Sequence, residues 1–185
     1  MQRHELRRAL EALGTVLSDR GLAYRIVVAG GAALLLREGL ERATQDVDVV
    51  AVSRSEEALR PRHMLPTELI AAAEDVARLY NLESDWLNAG ALGILADRLP
   101  QGYQDRLRTE RFGNLTVSVL ARQDLIRLKL YAATDEGPGS VHLNDLVRMS
   151  PTADEVHLAV TWVRSRYADG PIPELDSVLG FLPGG

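Results

Sequence analysis

Two aspartates spaced two positions apart, Asp46 and Asp48, follow a glycine pair, Gly30 and Gly31, within residues 27 to 52. An apolar run ends at the glycines, strong helix formers follow, and a polar connection leads into the apolar run that carries the aspartates. Glycines let the backbone approach a ligand closely, and the free N–H groups at the start of a helix favour an anion. On a strand, the two aspartates project from one face, roughly 7 Å apart along the chain. The pattern predicts a phosphate-binding turn beside paired metal-binding carboxylates.

Both parts of this pattern also have an ordinary structural explanation. A glycine pair occurs at many strand-to-helix turns, and acids on a half-solvated strand simply face water. The explanation by solvation is weaker here, because strict alternation puts Val50 and Val52 on the face of the two aspartates and because Asp is a poor strand former. Two acids on an apolar face indicate a site.

The basic residues are twenty arginines and a single lysine, Lys129. A lysine offers a compact charge on a flexible stem. Either Lys129 lies at a position where only such a charge suffices, or its presence is a matter of chance. Composition leaves both explanations open. Lys129 is expected at the edge of a helix over residues 122 to 133, and a further helix, VHLNDLVRM, carries Asp145.

Length and composition limit the classes of protein and of site. The 185 residues suffice for a single compact unit, and the net charge of -5 argues against a broadly basic nucleic-acid binder. Without cysteine, neither disulfides nor thiolate zinc sites form, so any metal is expected to be hard and oxygen-bound, such as magnesium. The N-terminus lacks the apolar core of a signal peptide and no run approaches the roughly 20 apolar residues of a membrane span, so a cytoplasmic protein is expected.

Hydrophobic periodicity predicts strands that alternate with helices. Thr67 is expected to cap the helix over residues 67 to 82. Asp85 and Asn88 either cap a helix or reach into a pocket, and capping is the commoner role. Thr152 and Glu155 form a capping box at the last long helix. The predicted helices cover residues 3 to 20, 32 to 37, 67 to 82, 122 to 133, 141 to 149 and 152 to 167. The predicted strands cover 24 to 28, 46 to 52 and a hairpin over 108 to 120 that turns at Gly113-Asn114.

The ordered set of these motifs resembles the DNA polymerase beta-type nucleotidyltransferase superfamily, and within it the small bacterial branch of abortive-infection (AbiEii-like) toxin-like enzymes. Two later segments, DLIRLKLYAA with its lysine and HLNDL with its aspartate, strengthen the resemblance, as does DWLN at residues 85 to 88. The first part of the signature consists of Gly30-Gly31, a helix, Arg42, Thr44 and Asp46-Val47-Asp48.

The resemblance implies an α/β (α+β) fold, a small mixed sheet flanked by helices with a helical C-terminal part. It implies one nucleotidyltransferase-like domain over residues 1–185, with a core at about 24–120 and the helical part at about 121–185. It also implies transfer of a nucleoside monophosphate from a nucleoside triphosphate to an acceptor hydroxyl. The implied roles are metal binding by Asp46 and Asp48 to one or two Mg2+ ions, nucleotide binding by Gly30, Gly31, Arg42, Thr44 and Lys129, and catalysis by Asp46, Asp48, Lys129 and Asp145.

One departure concerns the later strand, where many members of the superfamily carry a third carboxylate. Leu115 to Leu120 offers Thr116 and Ser118 instead. The proton acceptor is therefore Asp48, Asp145 or water, or the protein is a degenerate enzyme. The alternative function is a catalytically silent binding, antitoxin or regulatory module.

The toxin-like relatives imply tRNA or another RNA as acceptor and a cognate antitoxin protein as partner. Arginines are candidates for phosphate contacts, although solvent is the simpler role for those in the loop over residues 53 to 66. The acidic net charge leaves a small metabolite, an antibiotic or a protein hydroxyl open as the acceptor. The candidate arginines are Arg60, Arg62, Arg106, Arg108 and Arg111.

Overall fold

A computed structural model describes residues 1–38, 43–54, 60–61, 64–89, 99–167 and 170–184, with backbone alone at 38, 60 and 61. The chain forms two compact units. The sheet unit comprises Met1–Leu99 and Tyr103–Leu120, and the helical unit comprises Pro100–Gly102 and Ala121–Gly185. The organisation of residues 1–185 as a single domain stays a prediction.

A mixed sheet forms the centre of the sheet unit. Its strands lie in the order β3-β2-β1-β6-β5, with β1 and β6 parallel and the other neighbours antiparallel, and the short β4 adds to β2 in parallel. The predicted fold class is confirmed. The strands are β1 (Tyr24–Val28), β2 (Val47–Arg54), β3 (Arg60–Pro61), β4 (Leu87–Asn88), β5 (Arg108–Phe112) and β6 (Leu115–Val119).

The helices of the sheet unit are α1 (Arg3–Asp19), α2 (Gly30–Ala33), which continues as a π-helical turn over Leu34–Glu38, and α3 (Thr67–Tyr80), with a 3-10 turn at Tyr103–Arg106. α1 buries its apolar stripe and approaches the β5–β6 hairpin so closely that a Cβ at Gly14 would lie 1.8 Å from the carbonyl oxygen of Phe112. The hairpin turns at Gly113, whose φ is +56°, as predicted. The expected N-cap of α3 is wrong by one residue, because Pro66 occupies that position.

The helical unit is built around α4 (Arg122–Glu136), which packs against α5 (Val141–Met149), α6 (Ala153–Arg164) and α7 (Leu175–Leu179). The predicted capping box is confirmed, since the Thr152 hydroxyl accepts from the Glu155 N–H at 3.2 Å and the Glu155 carboxylate accepts from the Thr152 N–H at 2.9 Å. Glu155 also accepts from Arg122 at 2.9 Å, and this bond lowers the pKa of the Glu155 carboxyl. The starts of α4 and α6 are thereby joined. None of the helices in the described ranges is long and apolar enough to cross a bilayer.

Candidate active site

The glycine turn contacts the second aspartate of the pair. Gly30 begins α2 with a φ of +64°, in the left-handed region that favours glycine, and a Cβ added there would lie 2.0 Å from Oδ2 of Asp48. The Ala29 N–H donates to the Asp48 carbonyl at 3.0 Å, which joins the end of β1 to the start of β2. The turn and the carboxylate are therefore adjacent, and a residue larger than glycine at position 30 does not fit.

A β-bulge in β2 changes the direction of the aspartate. Ile26 lies opposite Val52 and Val28 lies opposite Val49, so Val50 is an extra residue between the two pairs. Because opposite residues share a face of the sheet, Val49 and Val52 share one face and Asp48, the neighbour of Val49, lies on the other. The prediction from strict alternation, that Asp48 shares its face with Val52, is wrong. Asp46 precedes β2 and does not belong to it.

The first aspartate of the pair is held by Asn88, from another segment, and by its near neighbour Thr44. The Asn88 side-chain amide donates to Oδ2 of Asp46 at 3.4 Å and to the Asp85 carbonyl at 3.1 Å. The Thr44 hydroxyl donates to the Asp46 carbonyl at 3.0 Å. Asn88 lies opposite Asp48 in the β2–β4 pair, so the expectation that Asn88 caps a helix is wrong.

The segment before Asn88 is anchored by the buried Trp86. Its indole Nε1 donates to the Ala73 carbonyl on α3 at 2.9 Å, and its own carbonyl accepts from the Val47 N–H at 2.6 Å. Trp86 thereby fixes β4 beside the start of β2 and brings the Asn88 amide to the aspartates. Of the two roles that the sequence left open for Asn88, its bond to Asp46 favours the one in which it reaches into a pocket.

The lysine and the later aspartate form a buried ion pair in the helical unit. Lys129 Nζ on α4 lies 2.7 Å from Asp145 Oδ2 on α5, and the two side chains are 8% and 1% exposed. The expectation that Lys129 projects from an edge of its helix is wrong. A buried ammonium needs a compensating carboxylate, and Asp145 provides it.

A half-buried histidine lies beside this ion pair. His142 Nδ1 lies 3.3 Å from Lys129 Nζ, and His142 Nε2 lies 3.3 Å from Oε1 of Glu136. The pKa of His142 is lowered mainly by burial, and the positive charge of Lys129 lowers it further. His142 was not predicted to join this pair. The feature of the sequence that pointed to it is its position three residues before Asp145, on the same side of α5.

Other candidates either lie outside the described residues or are described on the β5–β6 hairpin. Arg42 and Arg62 lie outside the described residues, and Arg60 is described by its backbone alone. Arg108 lies opposite Val119 and Arg111 lies opposite Thr116 on the next strand. Since these positions are three apart on β5, the two arginines lie on opposite faces of the sheet and do not form one cationic patch.

Strand β6 is the later strand on which many members of the superfamily carry a third carboxylate, and here it carries the hydroxyl groups of Thr116 and Ser118. Ser118 on β6 is buried, and its Oγ lies 2.8 Å from the Thr109 hydroxyl of β5. Ser118 lies opposite Val27 of β1, and Thr116 lies opposite Arg25. In the described part of the chain, no group of three or more His, Asp or Glu residues is arranged to hold a metal ion.

Searches for similar sequences gave one family. No curated protein matches the chain, and no solved structure matches it. Residues 4–150 match the family described as nucleotidyltransferase of unknown function (DUF6036). The matched span contains the glycine turn, the aspartate pair, Lys129, His142 and Asp145. Since this span covers most of the chain, the protein belongs to that family and is a nucleotidyltransferase, a transferase that acts on a nucleotide substrate.

Proposed function

We propose that the protein transfers a nucleoside monophosphate from a nucleoside triphosphate to an acceptor hydroxyl, with magnesium held by Asp46 and Asp48. The observation that carries the proposal is the contact at the glycine turn, where a Cβ at Gly30 would lie 2.0 Å from Asp48 Oδ2. Backbone N–H groups suited to phosphate and a carboxylate suited to a cation are then direct neighbours. A metal-bound triphosphate needs both of these partners.

In the sheet unit, the backbone of Gly30 and Gly31 contacts the phosphates. Arg42 and Thr44 contribute to nucleotide binding, and the bond from the Thr44 hydroxyl to the Asp46 carbonyl orients the segment that carries the first aspartate. Asn88 keeps the Asp46 carboxylate in place through its amide, at 3.4 Å. The protein contributes positioning and charge, and little covalent chemistry.

The carboxylates fit a hard cation. Nucleotidyltransferases generally use metal ions, and Mg2+ is bound in proteins by one or two carboxylates together with phosphate oxygens of the substrate. Asp46 and Asp48 are both half-buried carboxylates, and the Asn88 amide donates to Oδ2 of Asp46. When bound, one or two magnesium ions supply positive charge that stabilises the attacking and leaving oxygens of an in-line displacement.

In the helical unit, Lys129 contacts the triphosphate and Asp145 orients Lys129. The ion pair of 2.7 Å supports the second role, because it fixes the ammonium at the end of a long side chain. The proton of the acceptor hydroxyl passes to Asp48, to Asp145 or to water, since β6 offers the hydroxyls of Thr116 and Ser118 and no carboxylate.

The acceptor is proposed to be RNA, with tRNA as the first candidate, and the biological role to be that of a toxin-like, abortive-infection enzyme controlled by an antitoxin protein. The support is the resemblance of the motifs to that branch. Growth arrest on expression, relieved by substituting Asp48, is the expected cellular result. An expressed, active enzyme that leaves growth unchanged contradicts the toxin role and leaves nucleotidyl transfer intact.

The test of the reaction is transfer of label. Purified protein, magnesium and each α-labelled nucleoside triphosphate are incubated with total cell extract, and labelled RNA, protein and small molecules are separated. We expect one triphosphate to label RNA, and Asp46→Asn or Asp48→Asn to lower labelling by roughly a hundredfold or more, because the metal charge is worth several kcal/mol. Asp19→Asn, which alters an exposed acid at the end of α1, is the control.

Two results contradict the proposal in different ways. Labelling that survives both aspartate substitutions excludes the proposed site. A protein that binds triphosphate and magnesium in calorimetry, but labels nothing in extracts, favours the silent binding or regulatory module over the transferase.

A further inference from the structure

We propose that His142 is a positioning residue for Lys129, which it holds by accepting a hydrogen bond from the lysine ammonium as a neutral imidazole. The inference deepens the proposed function and rests on it, since Lys129 is taken to contact the triphosphate. Three observations carry it: the distances around His142, the charges of its two partners, and the burial of Lys129.

The partners of the imidazole define its tautomer. Lys129 Nζ has only N–H groups to offer, so Nδ1, at 3.3 Å, must be the acceptor. The Glu136 carboxylate only accepts, so Nε2, at 3.3 Å from Oε1, must carry the proton. The two ring nitrogens thus face groups of opposite character, and one neutral tautomer satisfies both.

This arrangement directs the ammonium. Asp145 Oδ2, the ion-pair partner at 2.7 Å, and His142 Nδ1, at 3.3 Å, lie beside the Lys129 ammonium and restrict its position. The proposal is that an ammonium placed in this way offers an N–H to an oxygen of the triphosphate. A lysine whose terminal rotation is already restricted loses less entropy when it binds a phosphate oxygen.

Protonation of His142 would remove the arrangement. Nδ1–H and the ammonium would then oppose each other, two donors and two positive charges. The charged groups around the imidazole are Lys129 and Glu136 on α4 and Asp145 on α5. Burial and the Lys129 charge outweigh the two carboxylates and lower the pKa of His142, so the imidazole is neutral at and above pH 7.

The lone lysine makes a direct measurement feasible. In protein labelled with [15N]lysine, Lys129 supplies the whole side-chain ammonium signal. Labelling with [15N]histidine reports the tautomer of His142, whose signals are assigned because they disappear in His142→Asn. We expect the Nε2–H tautomer, titrating below the ordinary value of 6.5, with the Lys129 signal shifting over the same pH range. The proposal is overturned if His142 has the Nδ1–H tautomer, or if the Lys129 signal does not shift over the pH range in which His142 titrates.

Nucleotide affinity gives the functional test. Asn places its side-chain oxygen near the position of Nδ1 and does not titrate, whereas Leu offers no acceptor. We expect His142→Leu to raise the KM for the triphosphate roughly tenfold with a smaller change in kcat, because a hydrogen bond to a charged group is lost. In the wild type, we expect KM to rise at acidic pH, where His142 becomes protonated. His142→Asn should have the wild-type KM at pH 7.5 and should not show this rise.

The two possible failures are distinguishable. Wild-type protein that binds no triphosphate at any pH contradicts the proposed function. Wild-type protein that binds triphosphate, with His142→Leu folded and binding equally well over the whole pH range, contradicts the role of His142 and leaves the proposed function standing.

Discussion

The two groups of site residues are built in opposite ways. In the sheet unit, Gly30 and Asp48 meet because strand pairing brings their backbones together, and the carboxylate remains half-buried. In the helical unit, Lys129 and Asp145 meet through their side chains, and both are buried. The first group depends on backbone shape and the second on charge balance, so substitutions should damage them differently.

The difference follows from the solvation of charge. A half-buried carboxylate keeps part of its hydration, so the fold tolerates its loss. A buried ammonium has exchanged hydration for Asp145 and His142, so the fold depends on its partners. We therefore expect stability and activity to separate in the sheet unit and to be linked in the helical unit.

The largest expected effect is the loss of stability on removing one member of the buried pair. Asp145→Asn leaves the Lys129 ammonium buried without its counter-charge and should cost about 3–5 kcal/mol in the free energy of unfolding, measured by urea denaturation. Asp48→Asn should cost far less, since its side chain is half-buried. Equal losses for the two variants would contradict the comparison.

The double variant Lys129→Met/Asp145→Leu sharpens this test. It removes both charges and fills the volume with apolar groups, so most of the stability lost in Asp145→Asn should return while transfer activity stays absent. A double variant no more stable than Asp145→Asn would mean that packing and not charge balance holds α4 and α5 together.

An intermediate effect is expected at the glycine turn. Gly30→Ala and Gly21→Ala both put a Cβ on a residue with positive φ, +64° and +65°, and each should lose about 1–2 kcal/mol. Only Gly30→Ala also meets Asp48 Oδ2, whereas a Cβ at Gly21 meets nothing within 4 Å. Transfer activity should therefore fall sharply in Gly30→Ala alone. Equal activity in the two variants would show that the contact with Asp48 is unimportant.

The smallest expected effect is a pH dependence of stability that comes from His142. Its pKa is lowered in the folded state, so below pH 6.5 the unfolded chain binds the proton first, and stability decreases as pH falls from there towards the folded-state pKa. The melting temperature of His142→Asn should decrease less than that of the wild type between pH 7.5 and 5.5. Parallel curves for the two proteins would contradict the lowered pKa.

Much of the fold could be predicted from local patterns. The apolar stripe of α1, the Gly113 turn and the Thr152–Glu155 capping box depend on neighbouring residues, and all three are confirmed. The bulge at Val50 was not predicted because alternation alone assumes that every residue of a strand is paired. The role of Asn88 was left open because β4 is two residues long and its pairing with β2 is non-local.

The sequence alone determined the glycine turn, the aspartate pair and the single lysine, because residue type limits what each position does: glycine permits backbone conformations that strain other residues, and carboxylates attract cations. The tertiary structure decided that Asp48 lies against Gly30, that Asn88 holds Asp46, and that Lys129 is buried between Asp145 and His142. Contact and burial depend on how distant segments pack, and the pKa of His142 depends on both.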